Sequence, residues 1–138
     1  MTRALVLFAH PCAESFSAAL HARVIETLTA RGWQVDDCDL NAEGFNPVLT
    51  EQERRGYHDV GPNLVPVQPY VDRIRAAQAL VLVFPVWNFG YPAILKGFFD
   101  RVFVPAGTGP RAPEPDAYPQ ARSRHHLWRH PAARAPCR

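Results

Sequence analysis

Two short segments carry residue types that could do chemistry. The first, residues 9–20 (AHPCAESFSAAL), gathers His10, Ser15 and Ser17 just before an apolar periodic run. An imidazole N–H, hydroxyls and the free backbone N–H groups of a helix start are all donors, and donors that converge suit a phosphate. No glycine fingerprint accompanies them, so each residue also has an ordinary reading. Ser15 and Ser17 serve equally as helix caps. His10 either donates to a phosphate or ties down a neighbouring loop, and Phe16 reads first as a core residue.

The second segment, residues 84–103 (FPVWNFGYPAILKGFFDRVF), breaks an apolar run into a turn before a helix begins. Pro85, Val86, Trp87, Asn88, Phe89 and Gly90 make up that turn. Large rings are costly to leave wet, and no core-forming period continues around Trp87 and Phe89. A flat molecule lying against the turn would account for them.

The elements that must hold these segments follow from periodicity. Residues 4–9 (ALVLFA) and 79–84 (ALVLVF) are continuous apolar runs, the pattern of parallel strands covered on both faces. Phe16, Leu20, Val24 and Leu28 recur at helical spacing, with Glu14, Ser15 or Ser17 near the start and Gly32 past the end. Residues 33–40 (WQVDDCDL) are β-prone but acidic, which predicts a strand at or near a sheet edge. Residues 41–68 read as a long polar connection with one helical turn at 50–55, and loops of that length are commonly functional or mobile. A helix is predicted from Pro69 through Val71, Ile74 and Ala77. Another follows Pro92, with Ile94/Phe98/Val102 and Leu95/Phe99/Phe103 as a broad apolar face. Lys96 and Asp100, one turn apart on it, read as a solvated surface pair.

Strand, helix, strand units of this kind predict an open α/β sheet in which ligands bind outside the carboxyl ends of the strands. Both segments leave strands at that end. A pyrophosphate at the first and a planar ring at the second would explain both sets of residues, and a flavin nucleotide has both parts.

ALVLFAHP with ESFSAAL, Asp39-Leu40, and ALVLVFPVWNFGYPAILKGFFDRVF together resemble the flavodoxin-like NAD(P)H:quinone reductases. The resemblance spans roughly residues 3–104. It implies a doubly wound parallel sheet of order 2-1-3-4-5, of which strands 1–3 are present and strands 4–5 have no counterpart in the chain as written. It implies a homodimer with FAD or FMN at the interface, NAD(P)H as co-substrate, and a quinone or nitroaromatic acceptor. Hydride would pass from NAD(P)H through the flavin in a ping-pong cycle, with no side chain required as a nucleophile. Carried over by resemblance, His10, Ser15, Phe16 and Ser17 match the loop that holds the flavin phosphates and ribityl chain. Pro85, Val86, Trp87, Asn88, Phe89 and Gly90 match the loop at the isoalloxazine edge, where backbone N–H groups near Trp87–Phe89 would stabilise the reduced ring. A catalytically impaired flavodoxin-like remnant, or an ancillary flavin-binding protein, is the alternative.

Composition narrows the other classes. With 138 residues, 47% hydrophobic and 20% charged, one compact domain is expected at 1–104. No signal-peptide pattern or apolar span of membrane length occurs, and cytoplasm is the expected location. Cys12, Cys38 and Cys137 have no CxxC spacing, which argues for reduced thiols over a disulfide framework or zinc site. A His-Pro-Asp-Asp-Glu deacetylase motif is also set aside, because Cys12 and Ala13 stand where it needs two aspartates. Residues 105–138 hold half of the 14 prolines and several arginines, without either period, and are predicted to be disordered. Their basic character lacks any nucleic-acid-binding pattern, so specific nucleic-acid binding is not expected. Codons permitted for Arg124 to Arg134, read one nucleotide out of frame, can yield Val-Thr-Thr-Tyr-Gly-Gly, the kind of segment the family places after its fourth strand. A frameshift near residues 104–110 is therefore expected, and sequencing the gene tests it.

Overall fold

The computed structural model describes residues 1–104, so the segment 105–138, with its expected disorder and Cys137, lies outside the described residues. Three strands form one parallel sheet in the order β2-β1-β3: β1 (Arg3–Phe8), β2 (Gln34–Asp39) and β3 (Ala79–Val83). Arg3 pairs with Gln34 and Phe8 with Asp39 on one side of β1; on the other, Ala4 pairs with Ala79 and Phe8 with Val83. The three strands and the edge position of acidic β2 match the sequence expectation, with each boundary within about a residue.

Alternation along β1 divides the interior into two layers. Leu5 and Leu7 point into the larger cluster, against Val71 of α4 (Gln68–Ala76) and Leu95, Phe98 and Val102 of α5 (Ala93–Val102). Val6, Phe8 and Val83 face α1 (Phe16–Ala30) on the opposite side, against Ala18, Val24, Ile25 and Leu28. Helices therefore cover both faces of β1, as its continuous apolar run requires, whereas β3, at the edge of the described sheet, is mostly half-buried with Leu80 exposed. No helix among the described residues is long and apolar enough to cross a membrane.

The apolar face of α1 differs from the one expected. Phe16 is 84% exposed and Leu20 is 46% exposed, so neither is a core residue. A strict spacing of four drifts about 40° around the helix at each step, which turns Phe16 about 80° away from Val24. Ala18 and Ile25 complete the packed face instead.

The connection 41–68 contains the helical turn expected at 50–55, as α2 (Glu51–Arg55), and departs from the expected long loop by adding α3 (Val60–Leu64) and a 3-10 turn (Val65–Val67). Thr50 caps α2 through a reciprocal box: its Oγ1 accepts from the Glu53 N–H at 3.1 Å, and Glu53 Oε2 accepts from the Thr50 N–H at 2.8 Å. Three contacts then pin the connection to α5. The Phe45 ring lies 5.3 Å from Phe98. The Arg101 guanidinium donates to Glu53 Oε1 at 2.8 Å through Nε, and through Nη1 to the Asn46 carbonyl. Gly97 receives Pro47 so closely that a Cβ there would overlap the Pro47 carbonyl and Cα. These anchors are single residues separated by about fifty positions, which is why no local pattern betrayed them.

Glu53 and Arg101 are both buried. Burial by itself would raise the Glu53 carboxyl, but the Thr50 hydrogen bonds and the Arg101 guanidinium outweigh it and hold the group below the ordinary carboxylate range. At the β2 edge, Arg73 donates to Asp36 Oδ1 at 2.7 Å and to Glu43 at 2.8 Å, while Arg3 reaches Asp36 at 2.8 Å. Asp36 too is held low against the opposing effect of burial, by Arg73 and Arg3. Beside them the buried Cys38 thiol is pushed up to about 12, chiefly by burial, and stays protonated as an inert core group.

Candidate functional site

The loop after β1 and the turn after β3 leave neighbouring strands at the same end of the sheet. They meet through side chains: the His10 and Trp87 rings stand 5.5 Å apart in an edge-on contact, inclined at 62°. The Cys12 N–H donates to His10 Nδ1 at 3.0 Å. A neutral ring that accepts at Nδ1 carries its proton on Nε2, so His10 presents an N–H donor beside the Trp87 indole. Of the two readings of His10, the structure shows the loop-tying one, made within its own loop.

Ser15 is the N-cap of α1, its Oγ accepting from the Ala18 N–H at 3.1 Å. The Ser17 hydroxyl and the Phe16 and Ser17 N–H groups have no partner among the described residues. No acidic side chain occupies the first turn of this 15-residue helix, so the positive end of its dipole is not neutralised there. That donor set suits an anion. Phe16 projects next to it, exposed, where a ligand rather than the core is within its reach.

The second turn has a specific backbone. Trp87 and Gly90 exchange two hydrogen bonds, Trp87 N to Gly90 O at 3.1 Å and Gly90 N to Trp87 O at 3.0 Å. Between them Asn88 (φ 49°) and Phe89 (φ 63°) both take left-handed conformations. Two consecutive positive φ values define a type I′ turn, which favours Asn at the first position and Gly at the second. Phe89 therefore carries strain of about 1–2 kcal/mol, and the turn holds its ring fully in solvent. Trp87 is 45% exposed, and Val86 and Tyr91 are exposed beside it. Of the backbone donors expected here, that of Trp87 is engaged inside the turn, leaving Asn88 and Phe89 N–H without a partner among the described residues.

On the other side of β1 a cleft of about 410 Å³ opens between the ends of β1 and β2. His10, His21, Asp39 and Asn41 line it, and sequence reasoning had assigned no role to His21 or Asn41. The signal that could have found it is the placement of Asp39, the last residue of β2.

A parallel sheet of order 2-1-3 with a ligand-sized cleft at its carboxyl end is a flavodoxin-type arrangement. The sequence profile of the flavodoxin-like fold matches residues 2–118, so its match runs past the last residue described here. The chain is 33% identical over 121 residues to NAD(P)H dehydrogenase [quinone] 1 of Rattus norvegicus, covering 74% of this chain and 43% of that one. It is 49% identical over 92 residues to an FMN-dependent NADH:quinone oxidoreductase of Mycoplasma pneumoniae, covering 65% and 45%. Among solved structures, the NAD(P)H:quinone oxidoreductase of Methanothermobacter marburgensis superposes with a TM-score of 0.70 at 33% identity, over 74% of this chain and 53% of that one. The chain belongs to the flavodoxin-like NAD(P)H:quinone reductase family. It spans about half the length of the curated relatives it matches.

Proposed function

We propose that the chain binds a flavin nucleotide across its two loops and takes part in NAD(P)H-dependent reduction of a quinone. The observation that carries this reading is the His10–Trp87 contact, which brings a phosphate-type donor set and a strained, exposed aromatic turn into one site. The names of the rat, mycoplasmal and archaeal relatives agree with it. His10 Nε2, Ser17 and the first N–H groups of α1 would hold the phosphates, with Ser15 shaping that helix start and Phe16 covering the ribityl side. Pro85, Val86, Trp87, Phe89 and Gly90 would shape the edge of the ring, with the Asn88 and Phe89 N–H groups directed at its polar atoms. Bound there, the flavin would supply two-electron transfer between NAD(P)H and a quinone or nitroaromatic.

The chain's residues supply orientation, and the rings around 86–91 exclude water from one side of the site. The exposed Val86 and Phe89 also belong to this proposal as the surface on which a second copy would close the site. Light scattering of the loaded protein tests the dimer.

Titration of the 138-residue chain with FAD and FMN, followed by quenching of flavin fluorescence, tests the site. Saturable binding is expected, weakened at least about tenfold by Trp87→Ala, the scale of one lost aromatic contact. A folded chain that quenches neither flavin would end the proposal. Binding without NAD(P)H oxidation in the presence of menadione would favour the ancillary flavin-binding alternative.

A further inference from the structure

The two edges of the described sheet are built differently. β2 carries Asp36, Asp37 and Asp39, charges that discourage a further strand from pairing there. β3 carries none: Ala79–Val83 is apolar throughout, without proline or bulge. Its sheet neighbour among the described residues is β1 alone. The Gln78 N–H points to β1 and donates to the Arg3 carbonyl at 2.8 Å, so the alternation of a strand turns the peptide groups of Ala79 and Val81 away from β1. Backbone donors and acceptors thus stand in a row on an unprotected edge.

Both faces of that edge are apolar as well. On the α1 face, Val81 floors a groove of about 220 Å³ with Val24 and Leu28. On the opposite face Leu82 packs into the α5-side cluster, and Leu80, which shares that face by alternation, is 41% exposed. A chain of rings leads from the end of β3 along α5: Phe84 lies 5.2 Å from Tyr91, Tyr91 5.4 Å from Phe99, and Phe99 5.6 Å from Phe103. Tyr91 and Phe103 are exposed, so the fold covers this strip only in part.

What covers the edge must be a strand with apolar residues on both faces. Residues 105–138 hold half of the 14 prolines and, prolines apart, never more than two apolar residues in a row, so they do not supply one. A second copy of β3 does. A two-fold axis through Leu80 pairs the two strands antiparallel, sets Ala79 opposite Val81 of the copy, and lets those outward peptide groups exchange hydrogen bonds. Leu80 then meets its own counterpart at a position without ladder bonds, where side chains approach most closely. The same axis brings the α5 ring strips of the two copies onto one face.

We propose that the chain self-associates through β3, as a two-fold dimer in which the two three-stranded sheets become one. The contact uses neither the His10 loop nor the turn at Trp87, so it is independent of the flavin reading and of the closure at Val86 and Phe89.

Sedimentation velocity of the full chain without flavin tests the assembly, with FMN quenching measured on the same samples. A two-copy species is expected as the limit at rising concentration, because a two-fold contact closes on itself. Leu80→Lys puts a charge at an exposed position of the edge and should weaken association at least about tenfold, with circular dichroism and FMN quenching unchanged. Phe89→Gly should leave the two-copy species in place. Register has its own readout. With diamide as oxidant, Leu80→Cys should form an inter-chain disulfide, since its two Cα atoms would lie about 4.5 Å apart. Ala79→Cys, out of register with its own counterpart, should cross-link no more than the unsubstituted chain.

A chain that stays single without flavin overturns the proposal, and protection of the Ala79 and Val81 amides from hydrogen exchange in that single chain would assign the edge to residues 105–138. Association indifferent to Leu80→Lys, or abolished by Phe89→Gly, overturns it in favour of the surface at Val86 and Phe89. A series of growing particles with no two-copy limit also overturns it. A dimer that meets these tests but quenches no FMN keeps the β3 contact and removes the flavin reading instead.

Discussion

At the junction of the 41–68 connection with α5, two charges, Glu53 and Arg101, are taken out of water; at 86–89, aromatic and aliphatic side chains are left in it. The buried charges are answered inside the chain, by each other, by the Thr50 N–H and by the Asn46 carbonyl. The exposed rings have no such answer: Phe89 is held outward by a backbone that costs energy to form. Exceptions to the usual partition of residues therefore come in two kinds. One is settled by packing within the fold, and the other, under the proposed function, by a bound ligand.

Removing one member of the buried pair should have the largest effect. Arg101→Met strands the Glu53 carboxylate and is expected to cost about 3–5 kcal/mol, read from the urea midpoint. A cost below about 1 kcal/mol would mean that the pair behaves as a surface contact and that the comparison fails. Gly97→Ala comes next, at about 3 kcal/mol, because the added methyl displaces Pro47 from its seat on α5.

The acid limb sharpens the same side of the comparison. Glu53 has a depressed pKa in the folded chain, so its contribution is complete above the ordinary carboxylate range and is lost as the pH falls through the folded value. Glu53→Gln should lower stability at neutral pH and remove that part of the acid dependence, as followed by thermal melts from pH 7 down to pH 3.

Smaller effects of the opposite sign are expected at the turn. Phe89→Gly should stabilise the chain by about 1 kcal/mol by relieving the left-handed strain, while weakening flavin quenching. If the variant is less stable, the ring is packed and belongs with the first kind of exception. Phe16→Ser should change stability by no more than about 0.5 kcal/mol, because the ring is already in solvent.

The same division governs what could be read from the sequence. β1 and β3 were legible because ALVLF and ALVLV are continuous apolar runs, and α5 because its repeats at three and four positions persist for ten residues. The two site loops were legible as anomalies, donors before a helix and rings inside a turn. Their meeting was not, since His10 and Trp87 are joined only by folding. Nor was the turn type, because Asn88-Phe89 lacks the Asn-Gly pair that normally announces it. Within the connection 41–68 only the helical turn at 50–55 was legible. The fixed path of the connection depends on Phe98, which the period of α5 marks as core, and on Gly97 and Arg101, of which that period carries no sign.

The edge-on contact of His10 with Trp87 has a practical corollary. An indole beside an imidazole responds in its emission to the imidazole's position, and Trp33 lies at the opposite end of the strands, at the entry to β2. The protein thus contains an intrinsic optical gauge at the junction of its two loops. Displacement of either loop, by ligand or substitution, should register as a change in tryptophan emission without any label.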